Sequence, residues 1–130
     1  MIGIGNVGLF VLATSAVILF ATLVFELLTK YNAWEEIQKG NMAVAFALGG
    51  IVIGVANIMH FAITTNETLF DSIKWGGLGT ALLLIVYFVF ELLTPKLNVN
   101  DEIAKGNKAV GFLSFVFSIA FSIIIGASIV

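Results

Sequence analysis

Four long hydrophobic stretches constrain the fold of this chain more than any other feature. They run from about Ile2 to Thr29, Met42 to Ile63, Ile73 to Thr94 and Ala109 to Val130, each with about 22 residues or more. A helix of about 20 apolar residues crosses the hydrocarbon core of a bilayer. A transmembrane strand has about 10 residues of alternating polarity, a pattern that none of the stretches follows. The sequence therefore predicts an all-α, polytopic membrane protein with four transmembrane helices.

Composition excludes several classes of function. Of the 130 residues, 60% are hydrophobic and 11% charged, whereas a soluble domain has about 25% charged residues. The chain has no Cys, a single His and six Lys without Arg, at a net charge of −2. These counts exclude a thiolate site, a multi-His zinc site and a basic surface for nucleic acid. Since no nucleophile–base pair or cofactor fingerprint is present either, we expect no enzymatic activity, no metal and no cofactor.

The lysines predict the orientation of the chain in the membrane. Five of the six lie in the connections 30–41 and 95–108, which share one side of the bilayer, and Lys74 belongs to the other side. Loops rich in Lys and Arg stay in the cytoplasm. We therefore expect both of these connections to be cytoplasmic and both termini to lie outside the cytoplasmic (inner) membrane.

Two motifs occur twice. The segment V-F-E-L-L-T at 24–29 recurs unchanged at 89–94, and E-I-Q-K-G-N-M-A-V at 36–44 matches E-I-A-K-G-N-K-A-V at 102–110. The offsets are 65 and 66 residues. A repeat of this length indicates an internal duplication.

The duplication predicts a single membrane domain made of two tandem helical hairpins. Residues 1–65 form the first repeat, with helices at about 2–29 and 33–63. Residues 66–130 form the second, with helices at about 70–94 and 100–130. Because each repeat crosses the membrane twice, the hairpins have the same orientation, and their pseudo-symmetry axis runs along the membrane normal.

The paired F-E-L-L-T and E-I-x-K-G-N-x-A-V motifs also resemble those of the YjfL-like bacterial inner-membrane proteins, catalogued as domain of unknown function 350. The resemblance covers essentially the whole chain, and the repeated K-G-N-x-A element is its most specific part. It implies a four-helix inner-membrane protein and contributes no mechanism.

Two glutamates lie inside apolar runs at equivalent positions, Glu26 and Glu91. An ionisable group inside the membrane costs a few kcal/mol, so it faces protein or water and has a partner. If Asn32 caps a helix that starts at Ala33, Lys39 lies within side-chain reach of Glu26, and the same construction pairs Glu91 with Lys105. The predicted polar network comprises Glu26, Thr29, Lys39, Asn41, Glu91, Thr94, Lys105 and Asn107.

Two interpretations of this network remain open. In the first it locks the two hairpins together in register. In the second the paired glutamates line a path for cations or protons. We favour the first, because both glutamates lie near one end of their helices and transporters hold substrate near the midplane.

Small residues form a further pattern. They recur every three or four positions on the second and fourth helices, and such faces permit close packing in lipid. The two faces do not correspond under the repeat offset, so one could close the bundle while the other pairs subunits, although both could equally pack within one chain. Their residues are Ala43, Ala47, Gly50 and Gly54 on one helix, and Ser114, Ser118, Ser122 and Gly126 on the other.

From these features we expect a self-associating structural or scaffold subunit of the cytoplasmic membrane. Its expected partners are the lipid bilayer, further copies of itself and other membrane-associated proteins. The alternative is a channel or transporter subunit for protons, cations or small solutes that uses Glu26 and Glu91.

Overall fold

A computed structural model describes residues 4–94, 96 and 98–130. The described residues form helices without strands, and four helices are long and apolar enough to cross a membrane. The predicted all-α class with four transmembrane helices is thereby confirmed. The predicted start of the first helix, near Ile2, lies outside the described residues. The helices are α1 (Ile4–Leu28), α2 (Ala33–Gln38), α3 (Met42–Thr65), α4 (Leu69–Leu93), α5 (Val99–Ala104) and α6 (Lys108–Ser128).

The structure differs from the continuous helices predicted over 33–63 and 100–130. The short α2 ends at Gln38 before α3 begins at Met42, and the short α5 likewise precedes α6. The interruptions fall at Gly40 and Gly106, whose φ angles are 87° and 89°. This left-handed conformation suits Gly and ends a helix. Both halves thus have the same order of elements, and the internal duplication itself stays a prediction.

Helix α3 is the centre of the bundle, because it packs against α1, α4 and α6. Its contacts with α6 advance in the same direction along both helices. Gly50 faces Phe115 and Ser118, whereas Gly54, one turn further, faces Ser118 and Ser122. Helices α3 and α6 therefore run parallel.

The α3–α6 contact depends on the absence of side chains. A Cβ atom added at Gly111 would lie 2.6 Å from both Cα and the carbonyl oxygen of Ala43. One added at Gly50 would lie 2.9 Å from Cα of Phe115. Backbone atoms cannot move aside as side chains do, so a larger residue would separate the two helices.

The structure brings the two small-residue faces together within one chain. All eight members of the faces are buried: Ala43, Ala47, Gly50, Gly54, Ser114, Ser118, Ser122 and Gly126. Most of these residues on α3 therefore have their partner surface on α6. This arrangement corresponds to the alternative in which both faces pack within one chain.

The other helices depend on α3 to different degrees. Helix α4 packs closely, since a Cβ atom added at Gly79 would lie 2.6 Å from Cγ2 of Ile58. Helix α1 lies at the periphery, with Leu12 and Leu27 exposed by 69% and 84%. In a bilayer these exposed side chains face lipid, which is as apolar as they are. The largest fully buried side chains include Phe25, Ile51, Ile58, Met59, Leu83 and Ile103.

Substitution of Gly111 tests the close approach of α3 and α6. We expect Gly111→Ala to destabilise the protein by about 1–3 kcal/mol, the usual cost of overpacking. The matched control is Gly49→Ala, because a Cβ atom at Gly49 meets nothing within 4 Å. Thermal unfolding in mild detergent measures both variants. Equal melting temperatures for the two variants would contradict this packing.

Candidate functional site

The repeated E-I-x-K-G-N motif forms a joint between a short helix and a transmembrane helix. In the first joint, Gly40 N–H donates to the carbonyl of Ile37 at 2.9 Å, and Asn41 N–H donates to the carbonyl of Glu36 at 2.9 Å. This pair of bonds around a left-handed Gly is the Schellman motif, which satisfies carbonyls at a helix end. The second joint repeats it with Gly106 and Asn107.

The asparagine after each glycine starts the next helix. Oδ1 of Asn41 accepts a hydrogen bond from Val44 N–H at 3.1 Å, and Oδ1 of Asn107 accepts from Ala109 and Val110. An N-cap of this kind satisfies backbone donors that the first helical turn leaves unpaired. The K-G-N sequence therefore ends one helix and begins the next within three residues.

The two joints differ in their contacts with the opposite half of the chain. Nδ2 of Asn41 lies 3.1 Å from the carbonyl oxygens of Ile103 and Ala104, at the end of α5. It also lies 3.1 Å from Oε1 of Glu36. Among the described residues, the amide of Asn107 donates only to Glu102, at 3.0 Å. Asn41 thus links the two hairpins, which Asn107 does not do.

The glutamates of the joints are anchored by these amides. Hydrogen bonding from Asn41, followed by that from Lys39, holds the pKa of Glu36 below its usual 4.5. Hydrogen bonding from Asn107 likewise lowers the pKa of Glu102. Both groups therefore stay ionised at neutral pH and act as acceptors.

The lysines pair differently from the prediction. Lys39 Nζ lies 3.4 Å from Oε2 of Glu36, and Lys105 Nζ lies 3.6 Å from Oε2 of Glu102. Both Lys side chains are largely exposed, so these pairs contribute little to stability. In the part of the chain that the structure describes, the predicted Glu26–Lys39 and Glu91–Lys105 bridges do not form. Each Lys instead pairs with the Glu one turn earlier on its own short helix, which is an i,i+3 neighbour.

The predicted polar network therefore separates into two groups. Lys39, Asn41, Lys105 and Asn107 belong to the joints. Glu26 and Glu91 are half-buried near the ends of α1 and α4 and have no ion pair among the described side chains. Thr29 and Thr94 donate to nearby backbone carbonyls and not to the carboxylate of either glutamate. The acceptors of Thr29 are the carbonyls of Glu26 and Tyr31, both at 3.3 Å, and that of Thr94 is the carbonyl of Phe90 at 2.8 Å.

Glu91 lies in a polar pocket of about 380 Å³ at this end of the bundle. The other polar residues that line it are Lys30, Asn98, Asn100 and Asp101. Nearby, Tyr31 is buried, and its burial together with the phenol of Tyr87 raises the pKa of Tyr31 above its usual range. Tyr31 is therefore a neutral hydroxyl at physiological pH.

The polar contact between the central helices was missed from the sequence. Nδ2 of Asn57 donates to Oγ of Ser122 at 3.1 Å, across the α3–α6 interface. The repeat does not indicate this pair, because the offset that applies to α3 and α6 is 66 residues and makes Ile123 the counterpart of Asn57. The signal that could have found the pair is Asn57 itself, since an Asn in an apolar helix normally hydrogen-bonds to a neighbouring helix.

The space between α4 and α6 is nearly filled. A cavity of about 10 Å³ lies beside Tyr87, Ser114 and Ser118, a volume for about one water molecule. The hydroxyls of these three residues are buried and have no hydrogen-bond partner among the described residues. Within the same residues, no three His, Cys, Asp or Glu side chains are grouped as metal ligands.

Comparison with known proteins assigns the chain to a family. The family described as Domain of Unknown Function (DUF350) matches residues 1–129. The chain belongs to this family. The match confirms the resemblance indicated by the F-E-L-L-T and K-G-N motifs.

Two relatives in the comparison are described as transmembrane proteins. The chain is 49% identical over 117 residues to the UPF0719 transmembrane protein YshE of Bacillus subtilis (strain 168), covering 90% of this chain and 87% of the relative. It is 29% identical over 110 residues to a UPF0719 transmembrane protein of Aquifex aeolicus (strain VF5), covering 78% of this chain and 41% of that protein. No solved structure matches the chain. The chain is therefore a multi-pass membrane protein of this family.

The two joints offer a matched pair of substitutions. We expect Asn41→Ala and Asn107→Ala each to cost about 1 kcal/mol through the lost helix cap. Asn41→Ala should cost about 1–2 kcal/mol more, because it also removes the bonds to α5. Thermal unfolding of the two variants in detergent measures the difference, and equal losses would show that Asn41 does not link the hairpins.

The lowered pKa values predict a loss of stability in acid. A carboxylate whose folded pKa lies below its unfolded value stabilises the fold above the unfolded value and stops doing so as pH falls through the folded one. We expect the melting temperature of the wild type to decrease when the pH is lowered below about 4.5. The Glu36→Gln, Glu102→Gln double variant lacks these two groups, so its melting temperature should decline less over the same range. Parallel profiles would remove the role given to these carboxylates.

Proposed function

We propose that the chain is a non-catalytic structural subunit of the cytoplasmic membrane, with its two joints facing the cytoplasm. The observation that supports this role best is the close contact between α3 and α6. The contact extends from Gly111, which lies against Ala43, to Gly126, which lies against Phe61, and both glycines are buried. Close packing between the central helices is typical of a structural protein, which keeps one conformation and binds partners through the ends of its helices.

The small size of the cavity between α4 and α6 supports the same role. A conducting path needs a chain of water molecules or polar sites across the membrane, whereas this cavity has room for about one water. The Lys-rich end also offers two rigid, charged turns at which another membrane-associated protein could bind. The count of lysines supports placing that end in the cytoplasm.

The proposal includes self-association. The eight small residues of the two faces are already buried within one chain, so a second copy would have to pack against the outer surfaces. The mass of the protein in lipid nanodiscs measures its stoichiometry. We expect a multiple of the 13.9 kDa chain, and a strictly monomeric particle at all protein-to-lipid ratios would contradict this part.

A second candidate function is permeation of protons or cations. The observation that favours it is the row of serines on α6, where Ser114 and Ser122 lie about 12 Å apart along the helix. Their hydroxyls, with that of Tyr87, form a buried polar column towards Glu91. A rearrangement of α4 would be needed to hydrate this column.

Flux through reconstituted vesicles separates the two candidates. Under the structural proposal, we expect proton and potassium flux at the level of protein-free vesicles, for the wild type and for the Glu26→Gln, Glu91→Gln double variant alike. Glu35→Gln is the control, since Glu35 is exposed on α2. Flux above background that the double variant lowers and the control leaves intact would replace the structural proposal with permeation.

A further inference from the structure

Helices α1 and α4 enclose an apolar groove of about 790 Å³ on the outer surface of the bundle. Its walls include Ala13, Phe20 and Val24 from α1, and Ala81, Phe88 and Val89 from α4. The groove lies within two membrane-spanning segments. Its volume falls in the range of about 300–1,000 Å³ typical of sites for small molecules.

The groove continues into the polar pocket at the Lys-rich end. Leu28, Phe88 and Leu92 line both the groove and the pocket. The surface therefore changes from apolar to charged over one turn of α4, where Glu91 follows Phe88 and Val89. The α4 wall of the groove runs from Ile73 to Leu92, about 28 Å along the helix, which is nearly the thickness of a hydrocarbon core. The half beside the pocket, from Ala81 to Leu92, spans about 16 Å, so this half has the depth and the order of polarity of one leaflet.

One polar group in the pocket lacks a partner. Asn100 is only 6% exposed and lines the pocket. Its Oδ1 is buried and accepts no hydrogen bond from the described residues. Leaving such an acceptor unpaired is costly, so native structures almost always provide a donor. A ligand with an N–H group would satisfy it.

The charges around Asn100 define the rest of the ligand. Lys30 provides one cation, which suits a phosphate. Glu91 and Asp101 provide two carboxylates, which suit an ammonium group. A zwitterion with both charges matches this pocket, whereas a purely anionic head group would meet the two carboxylates. A trimethylammonium group has no N–H to donate to Asn100, so a primary ammonium is required.

We propose that the groove and the pocket together bind one glycerophospholipid with a phosphoethanolamine head group. An acyl chain occupies the half of the groove beside the pocket, and the head group lies among Lys30, Glu91, Asn100 and Asp101. Lipid tails are as apolar as the groove, so the tail alone gains little from leaving the bulk lipid. The polar pocket therefore determines which lipid stays bound.

Native mass spectrometry of protein released from nanodiscs tests this site. The nanodiscs contain equal amounts of phosphatidylethanolamine, phosphatidylcholine and phosphatidylglycerol with identical acyl chains. We expect one phosphatidylethanolamine to remain bound in preference to the other two. Lys30→Gln should weaken its retention by at least about tenfold, because a charge-assisted bond to phosphate is lost. Lys39→Gln is the matched control, since Lys39 lies at the same end but outside the pocket.

A second variant tests the groove independently of the charges. Val89→Trp places a large ring in the groove beside the pocket, and we expect it to abolish the bound lipid. Val116→Trp is the control, because Val116 is 43% exposed, against 44% for Val89, and lies on α6 away from the groove. Equal retention of all three lipids, or retention unchanged in both Lys30→Gln and Val89→Trp, would overturn the proposal.

The same groove could instead receive a helix from a second copy of the chain. The protein has no Cys, so a single Ala81→Cys substitution reports on this directly. Under the lipid proposal, oxidation in the membrane leaves Ala81→Cys monomeric. A disulfide-linked dimer would overturn the lipid proposal in favour of a subunit interface.

Discussion

The close approach of α3 and α6 is the contact on which the rest of the bundle depends. In lipid, helices gain nothing from hiding apolar surface, so their association relies on packing and on polar contacts. Gly50 and Gly111 let the two backbones meet, and Asn57 donates to Ser122 across the interface. Helices α1 and α4 then pack against the outside of this parallel pair. Without it, α1 would have few other contacts, since most of its side chains face outward.

The joints solve a different problem, which is how a chain turns at the edge of a membrane. Every backbone group that loses its helical partner there needs another one. Each K-G-N sequence provides these partners at two helix ends, because the glycine ends the short helix and the asparagine begins the long one. The glutamate three residues before the lysine then fixes the asparagine amide. The two joints therefore share the same set of hydrogen bonds around the glycine and the asparagine.

Much of this fold is predictable from the sequence. The number and class of the helices follow from the length of the apolar stretches, and Asn32 caps α2 as expected, by accepting from Glu35 N–H at 3.2 Å. The small-residue faces were also recognisable, since each recurs with the period of a helix. The pairing of the two faces could not be predicted, because periodicity on one helix contains no information about the helix beside it.

The polar contacts were harder to predict. A Gly at position 40 can serve close helix packing or a helix end, and its φ of 87° assigns it to a helix end. A Gly inside an apolar pattern is compatible with both roles, and only the Asn that follows distinguishes them. Lys39 pairs with Glu36 on its own short helix, and Glu26 has no ion pair among the described side chains. The burial of Asn100 Oδ1 without a hydrogen-bond donor results from contacts between distant segments, so no local sequence pattern could indicate it.

The parallel α3–α6 pair within a single chain is the central claim, and a disulfide tests it most directly. A Cβ atom at Gly54 would lie 3.3 Å from Cβ of Ser122, close to the separation of about 3.5–4.5 Å found in disulfides. In this cysteine-free chain, the Gly54→Cys, Ser122→Cys double variant should form an intramolecular disulfide on oxidation in native membranes, seen as a monomer on non-reducing gels. A disulfide-linked dimer formed on co-expression of the two single variants would place this contact between subunits and contradict the account.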